Sequence, residues 1–150
     1  TLSGTTPGLT SMDCNGQATY PAILMLDQRS RKQAQRIIDV IGLNKLLATT
    51  ANMPVAGGCS LASILWLKEN EPEIYKNTEV FGHSNTFIAR WLTGKYIIDP
   101  SSASLTALYN TVKNKYDIKI VTKTRAEFYK SILKDNRKEV KQLIEETNAV

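Results

Sequence analysis

Short apolar segments alternate with amphipathic ones along the chain, and polar turns separate them. Residues 18–26 form a mostly apolar run that ends at Asp27, which predicts a buried strand. Between Ser30 and Gly42, apolar residues recur at the spacing of one helical face. The pattern predicts a helix that begins with a capping box at Ser30 and ends at Gly42.

Three further helices are predicted in the middle of the chain. Ser60 is placed to cap the first of them. Pro72 starts a short second helix, because proline is tolerated in a first turn but not inside a helix. The third runs over residues 85–92, with Gly94 as its end, and His83 just before it is interpreted as a helix-start residue rather than a base. Apolar neighbours also place Trp91 in the core.

The remainder of the chain predicts strands and a basic helix. Residues 95–99 have the character of a strand edge, and Asp99-Pro100-Ser101-Ser102 is typical of a turn. Residues 116–122 alternate between apolar and polar and predict a strand, and Thr124 opens a capping box before a long helical stretch. Strands separated by helices indicate the α/β class.

Length and composition favour one globular domain. The chain has 150 residues, of which 42% are hydrophobic and 22% charged, so it can bury roughly two-thirds of its unfolded surface. No run approaches the ~20 apolar residues that span a bilayer, and no targeting segment is recognisable. We therefore expect a soluble, cytoplasmic protein. Because the chain begins without Met on a Ser/Thr/Gly/Pro-rich segment, we interpret it as a piece of a longer protein.

Charge and cysteine usage exclude two further classes. The net charge is +5, but the basic residues between positions 113 and 141 are interspersed with acidic ones, which is typical of solvated helix faces. Nucleic acid and membrane are therefore not expected partners. Cys14 and Cys59 have no second Cys or His at ligand spacing, so no metal site is predicted and both are interpreted as structural thiols.

Four short motifs occur in order across residues 2–111. They are Ser3-Gly4-Thr5-Thr6-Pro7-Gly8-Leu9; Pro21-Ala22-Ile23-Leu24-Met25-Leu26-Asp27-Gln28-Arg29-Ser30; Leu65-Trp66-Leu67-Lys68-Glu69-Asn70-Glu71-Pro72-Glu73; and Arg90-Trp91-Leu92-Thr93-Gly94-Lys95-Tyr96 with Asp99 and Ser102-Ala103-Ser104 after it. Each is weak alone. Together they resemble the FGGY family of carbohydrate kinases, which includes xylulokinase-like and glycerol kinase-like members.

The resemblance implies both a fold and a parent enzyme. The fold would be α/β, a partial actin-like/RNase H-like domain, in which residues 1–111 belong to the N-terminal, sugar-binding domain. The resemblance stops after residue 111, and from their own pattern residues 112–150 are expected to add a strand and a basic helix of unclear origin, packed on the same domain. The parent kinase would transfer the γ-phosphoryl of MgATP to a hydroxyl of a sugar or polyol, with ATP held mainly by its C-terminal domain. The remainder of the kinase chain would then be a partner.

The resemblance also implies which residues bind the sugar. The candidates are Thr6, Pro7, Asp27, Arg29, Asp99, Ser102 and Ser104. Carboxylates accept hydrogen bonds from paired hydroxyls and a guanidinium donates in return, so the residue types suit a polyol. Without the family, Asp27 is also consistent with a strand end, Arg29 with a surface charge and Asp99 with a turn. Thr6-Pro7 replaces a frequent Met-His and Met25 a Trp, which leaves the sugar open.

Parts needed for phosphoryl transfer have no counterpart in the sequence. The family's N-terminal phosphate loop, its later catalytic Asp and its adenosine-binding glycine motif are missing, and the Gly57-Gly58 pair is too generic to replace a phosphate loop. We expect no catalytic residue here, no tight MgATP binding and an inactive chain whose role is sugar recognition. One alternative is a non-catalytic carbohydrate-binding or protein-interaction module. Another is a homo-oligomer that pairs exposed sheet edges.

Overall fold

The structure is a computed structural model that describes residue 4 and residues 7–116. Its helices and strands follow one another as β1 (Gly8–Met12), β2 (Ala18–Leu24), α1 (Arg31–Ile41), α2 (Leu43–Thr50), α3 (Ser60–Asn70), α4 (Pro72–Asn77), β3 (Val80–His83), α5 (Ser84–Thr93), α6 (Pro100–Ser104), β4 (Tyr109–Asn110) and β5 (Lys115–Tyr116). The predicted strand over 116–122, apart from Tyr116, and the helix after Thr124 lie outside the described residues.

A three-stranded antiparallel sheet in the order β2-β1-β3 organises the molecule. The start of β1 pairs with the ends of both neighbours, since Gly8 lies opposite Leu24 and Leu9 lies opposite His83. The segments that precede β1 and follow β2 and β3 therefore leave the sheet at one edge, which we call the site edge. A separate hairpin joins β4 to β5.

Helix α3 lies between the sheet and α1. Its Leu67 packs with Leu9 and Ile23 of the sheet, whereas Leu61 and Leu65 pack with Ile37 of α1. A helix buried on more than one face must be apolar around most of its circumference, as α3 is. The core thus holds the sheet and α1 in fixed positions on opposite sides of α3.

Local signals predicted the ends of several helices. Gly42 adopts a φ of 90° and donates its N–H to Ile38 O at 2.8 Å, and Gly94 adopts a φ of 72° and donates to Arg90 O at 2.9 Å. The side-chain caps were wrong, because the Ser30 hydroxyl makes no cap hydrogen bond and Ser60 is already inside α3. The Ser60 hydroxyl instead pairs with the buried ring of His83.

Two predictions fail in the segment around α5. Residues 95–99 do not form a strand, since no strand in the described part of the chain pairs with them, and the Tyr96 hydroxyl donates to the carbonyl of Asp13. Trp91 is not in the core but is 69% exposed. Helix α5 turns Thr86 towards the interior, which leaves the face that carries Trp91 and Leu92 on the surface.

Candidate functional site

Asp27 and Arg29 form a preassembled ion pair at the site edge, in the turn that follows β2. Nε of Arg29 lies 2.8 Å from both carboxylate oxygens of Asp27, and Nη2 lies 2.7 Å from Oδ2. The Asp27 carboxylate also accepts the backbone N–H of Arg29 at 3.0 Å. Hydrogen bonding from Arg29 lowers the pKa of Asp27, and the same pair raises the pKa of Arg29. The carboxylate is therefore held ionised in one orientation.

Aromatic side chains fix the direction of the Arg29 guanidinium. It lies 4.8 Å from the ring centroid of Trp66 on α3, a cation–π geometry, and Nη1 donates to the Tyr20 hydroxyl at 3.1 Å. Arg29 is thus not a free surface charge. The pair remains partly open to solvent, with 36% of the Arg29 side chain and 20% of the Asp27 side chain exposed, so a ligand can reach it.

Gly57 packs against the backbone of the turn that carries this pair. A Cβ at position 57 would lie 2.7 Å from both Leu24 O and Asp27 O, and would also clash with Met25 O, and the residue has a φ of 67°. The Gly57-Gly58 loop therefore packs against the turn that carries Asp27, where only glycine fits. No local pattern indicates this role, because it depends on a contact between residues thirty positions apart.

Asp99 is the centre of a second polar group. It caps α6, since Oδ1 accepts the N–H of Ser102 at 2.9 Å, and its Oδ2 accepts the Ser102 hydroxyl at 2.7 Å. These bonds from Ser102 lower the pKa of Asp99. The predicted turn at Asp99 is thus the start of a short helix. Asn85 of α5 joins the group, because its Nδ2 lies 2.8 Å from Asp99 Oδ2 and 3.1 Å from Ser102 Oγ.

The structure places the other candidates less uniformly. Ser104 is apart from the Asp99 group, and its hydroxyl donates to Ser101 O at 2.6 Å. Pro7 is buried directly before β1 at the site edge, and Thr6 lies outside the described residues. A Cβ at Gly4 would lie 2.6 Å from Ser84 Oγ, so the Ser-Gly motif contacts the start of α5, one residue before Asn85. Residues of all four motifs therefore lie near this edge, since Trp66 of the third motif contacts Arg29 of the second.

His83, the chain's one histidine, connects α3 to the site edge without being exposed. Its Nε2 lies 2.7 Å from Ser60 Oγ, and its Nδ1 has no partner among the residues that the structure describes. Burial lowers the pKa of His83, although the Asp99 charge acts in the opposite direction. The ring is therefore neutral and structural, as expected of a residue directly before α5.

The described residues contain neither a cluster of metal ligands nor a membrane-spanning helix. No three His, Cys, Asp or Glu side chains among them are grouped so that they could hold a metal ion. No helix within 7–116 is long and apolar enough to cross a membrane.

Comparison with known proteins gives a consistent result. The model of the FGGY family of carbohydrate kinases, N-terminal domain, matches residues 1–127. The xylulose kinase of Lactococcus lactis is 36% identical over 119 residues, which cover 79% of this chain and 23% of the relative. The xylulose kinase of Staphylococcus xylosus is 32% identical over 120 residues, which cover 80% of this chain and 25% of the relative. The chain thus spans about a quarter of the length of these relatives.

Solved structures show the same fold. The xylulose kinase of Rhodospirillum rubrum superposes with a TM-score of 0.75 at 20% identity, over 81% of this chain and 25% of that one. The Plasmodium falciparum glycerol kinase with ADP gives a TM-score of 0.71 at 26% identity, over 79% and 24%. The α/β class, as part of an actin-like/RNase H-like domain, is confirmed. The boundary predicted at residue 111 stays a prediction.

Proposed function

Because this chain belongs to the FGGY family of carbohydrate kinases, as part of the N-terminal domain, we propose that it supplies sugar recognition to a kinase. That parent kinase transfers the γ-phosphoryl of MgATP to a hydroxyl of a sugar or polyol. The observation that carries the proposal is that two carboxylates are each held ionised and oriented by hydrogen bonds: Asp27 by Arg29 in the turn after β2, and Asp99 by Ser102 and by Asn85 of α5, the helix that directly follows β3.

The geometry suits hydroxyl groups. Both oxygens of the Asp27 carboxylate accept from Arg29, and 20% of the Asp27 side chain remains exposed to an incoming hydroxyl. A sugar hydroxyl can donate to Asp27 and accept from the Arg29 fork, which stays fixed on Trp66. Because both partners are already oriented, binding costs little side-chain entropy.

Phosphoryl transfer itself belongs to the rest of the parent. The reaction needs a phosphate cradle, Mg²⁺ and a base that takes the acceptor's proton, and the described residues hold no metal site. We therefore assign ATP binding and chemistry to the remaining part of the kinase, which packs with this chain as its partner. This chain alone does not consume ATP.

Five-carbon ketoses are the first substrates to test. The relative at 36% identity is a xylulose kinase, and a structure at 26% identity is a glycerol kinase. We propose an uncharged sugar of the xylulose type, with glycerol as the comparison that decides between a ketose and a short polyol.

Thermal unfolding with a panel of sugars tests the proposal. Xylulose, other pentoses, hexoses and glycerol are each added with and without MgATP. A ligand at about 100 times its Kd adds about 2.7 kcal/mol to the folded state. We expect one sugar to raise Tm and MgATP to leave it unchanged.

Asp27→Asn should abolish that rise, whereas Asp39→Asn on the exposed surface of α1 is the matched control and should keep it. A Tm that no sugar changes overturns the proposal. If the intact parent bound sugar but consumed no ATP, the chain would be a carbohydrate-binding module instead.

A further inference from the structure

Asn85 occupies a junction that no sequence motif marks. It is the second residue of α5, next to Ser84, against which Gly4 of the Ser-Gly motif packs. Its side chain reaches across to Asp99 and Ser102, which belong to another motif fourteen and seventeen positions later. Asn85 therefore connects two of the segments that meet at the site edge.

The hydrogen bonds of Asn85 fix the orientation of its amide. Oδ1 accepts the backbone N–H of Thr86 at 2.9 Å. Since only the oxygen can accept from an N–H, the NH₂ group must face Asp99 and Ser102, where both neighbouring oxygens can accept. The orientation of the Asn85 amide therefore follows from its hydrogen bonds.

The amide and the Ser102 hydroxyl together saturate one oxygen of Asp99. Oδ2 accepts from Asn85 Nδ2 at 2.8 Å and from Ser102 Oγ at 2.7 Å, whereas Oδ1 accepts the N–H of Ser102 at 2.9 Å. The bonds from Ser102 tie the carboxylate to its own helix, α6, whereas the bond from Asn85 ties it to α5. Asn85 therefore helps to set the orientation of Asp99 relative to the site edge.

We infer that Asn85 is a positioning residue of the sugar-binding site, which holds the Asp99 carboxylate in the orientation that accepts a ligand hydroxyl. The inference rests on the proposed function. Asn85 would affect sugar binding through its hydrogen bond to Asp99 and not through contact with the reacting groups.

Asn85→Asp tests the inference directly. The variant keeps the size of the side chain and the acceptor for the Thr86 N–H, but it removes both donors and places a second carboxylate beside Asp99. An acidic residue in the first turn of a helix is favourable, so a purely structural role predicts an unchanged or higher Tm and unchanged sugar binding. A positioning role predicts a higher pKa of Asp99 and roughly tenfold or greater loss of sugar affinity.

Two further variants complete the design. Asn85→Lys restores N–H donors towards Asp99 and should recover most of the affinity. Asn44→Asp makes the same charge change on the exposed surface of α2 and should alter neither quantity. Carboxyl ¹³C NMR titration follows Asp99, calorimetry with xylulose follows binding, and circular dichroism confirms that each variant is folded.

The possible results separate this inference from the proposed function. If the wild-type chain binds none of the sugars, the proposed function fails and the inference falls with it. If the wild type binds a sugar and Asn85→Asp binds it equally well, the inference alone is overturned. An Asp99 pKa that is identical in wild type and Asn85→Asp also overturns it.

Discussion

The hydroxyl of Ser60 lies 2.7 Å from Nε2 of His83, and both residues are buried. This contact joins the first turn of α3 to the last residue of β3. It also brings the N-terminal ends of α3 and α5 towards one imidazole, and helix N-termini disfavour a positive charge. The pair is therefore stable only with a neutral ring.

Acidification should destabilise the chain through His83. Burial lowers its pKa below the ordinary value of 6.5 in the folded state. Below pH 6.5 the unfolded state binds more protons than the folded state. The contribution of the neutral ring to the free energy of unfolding is therefore complete above pH 6.5 and decreases as the pH falls below it. Urea unfolding between about pH 8 and pH 5 measures the slope.

The chain has one histidine, which makes the control simple. His83→Gln keeps a group that can pair with Ser60 but does not titrate, and its stability should vary much less over this range. An equal slope in the variant would show that other groups cause the pH dependence.

Arg29→Lys should weaken sugar binding although it keeps the charge. Lysine cannot form the bidentate contact with Asp27 or stack as a plane on Trp66. We expect the pKa of Asp27 to rise towards its ordinary value and the sugar affinity to fall by roughly tenfold. The stability should change by at most about 1 kcal/mol, since the pair is partly exposed.

Arg36→Lys is the matched control for this substitution. Arg36 pairs with Glu69 between α1 and α3, in a contact separate from Asp27. Calorimetry should find its sugar affinity equal to that of the wild type. Equal losses in the two variants would indicate a general effect on the fold.

Substitutions at Asp99 should separate helix capping from ligand binding. Asp99→Asn keeps a side-chain acceptor for the N–H of Ser102, so it should retain most of the stability while it loses sugar affinity. Asp99→Ala removes the cap and should cost about 1–2 kcal/mol. Chemical denaturation and calorimetry on both variants give the two values. Full sugar affinity in Asp99→Asn would leave Asp99 with the capping role only.

Gly57→Ala should be among the more destabilising small substitutions. A Cβ there would lie 2.7 Å from Asp27 O in a residue with a φ of 67°. The clash and the backbone conformation together should cost on the order of 2–4 kcal/mol. Gly42→Ala is the control, since its φ is 90° but nothing lies within 4 Å of its Cβ, and it should cost about 1–2 kcal/mol. Similar losses in both would show that packing against Asp27 is unimportant.

Local chemistry predicted those parts of the fold that depend on neighbours in sequence. Helix α1 ends at Gly42 as predicted, because the positive φ that stops the helix is available to glycine itself and needs no distant contact. Strand β1 and helix α2 were not predicted. β1 has only five residues, all of them buried, and it is the central strand between β2 and β3. A strand buried in this way shows no alternation of apolar and polar residues by which the sequence would indicate it.

The candidate site divides along the same line. Asp27, Arg29, Asp99 and Ser102 were found because family motifs contain them, and the structure brings them together in two hydrogen-bonded pairs. Asn85 and Gly57 belong to none of the four motifs. Their roles come from contacts that only the fold creates, Asn85 with Asp99 and Gly57 with the turn that carries Asp27. Trp91 was misplaced because helical periodicity shows that a face is apolar but not what covers it.

The register of the sheet also constrains when the site can form in a growing chain. The β1–β2 hairpin is local, whereas Thr10 reaches the carbonyl of His83 across 73 positions. Until residue 83 has been made, one side of β1 has no strand to pair with, and its amides and carbonyls are open to any other extended chain. Synthesis and folding are therefore coupled here: the three-stranded sheet that positions Asp27 and Asn85 is complete only after residue 83 has been translated.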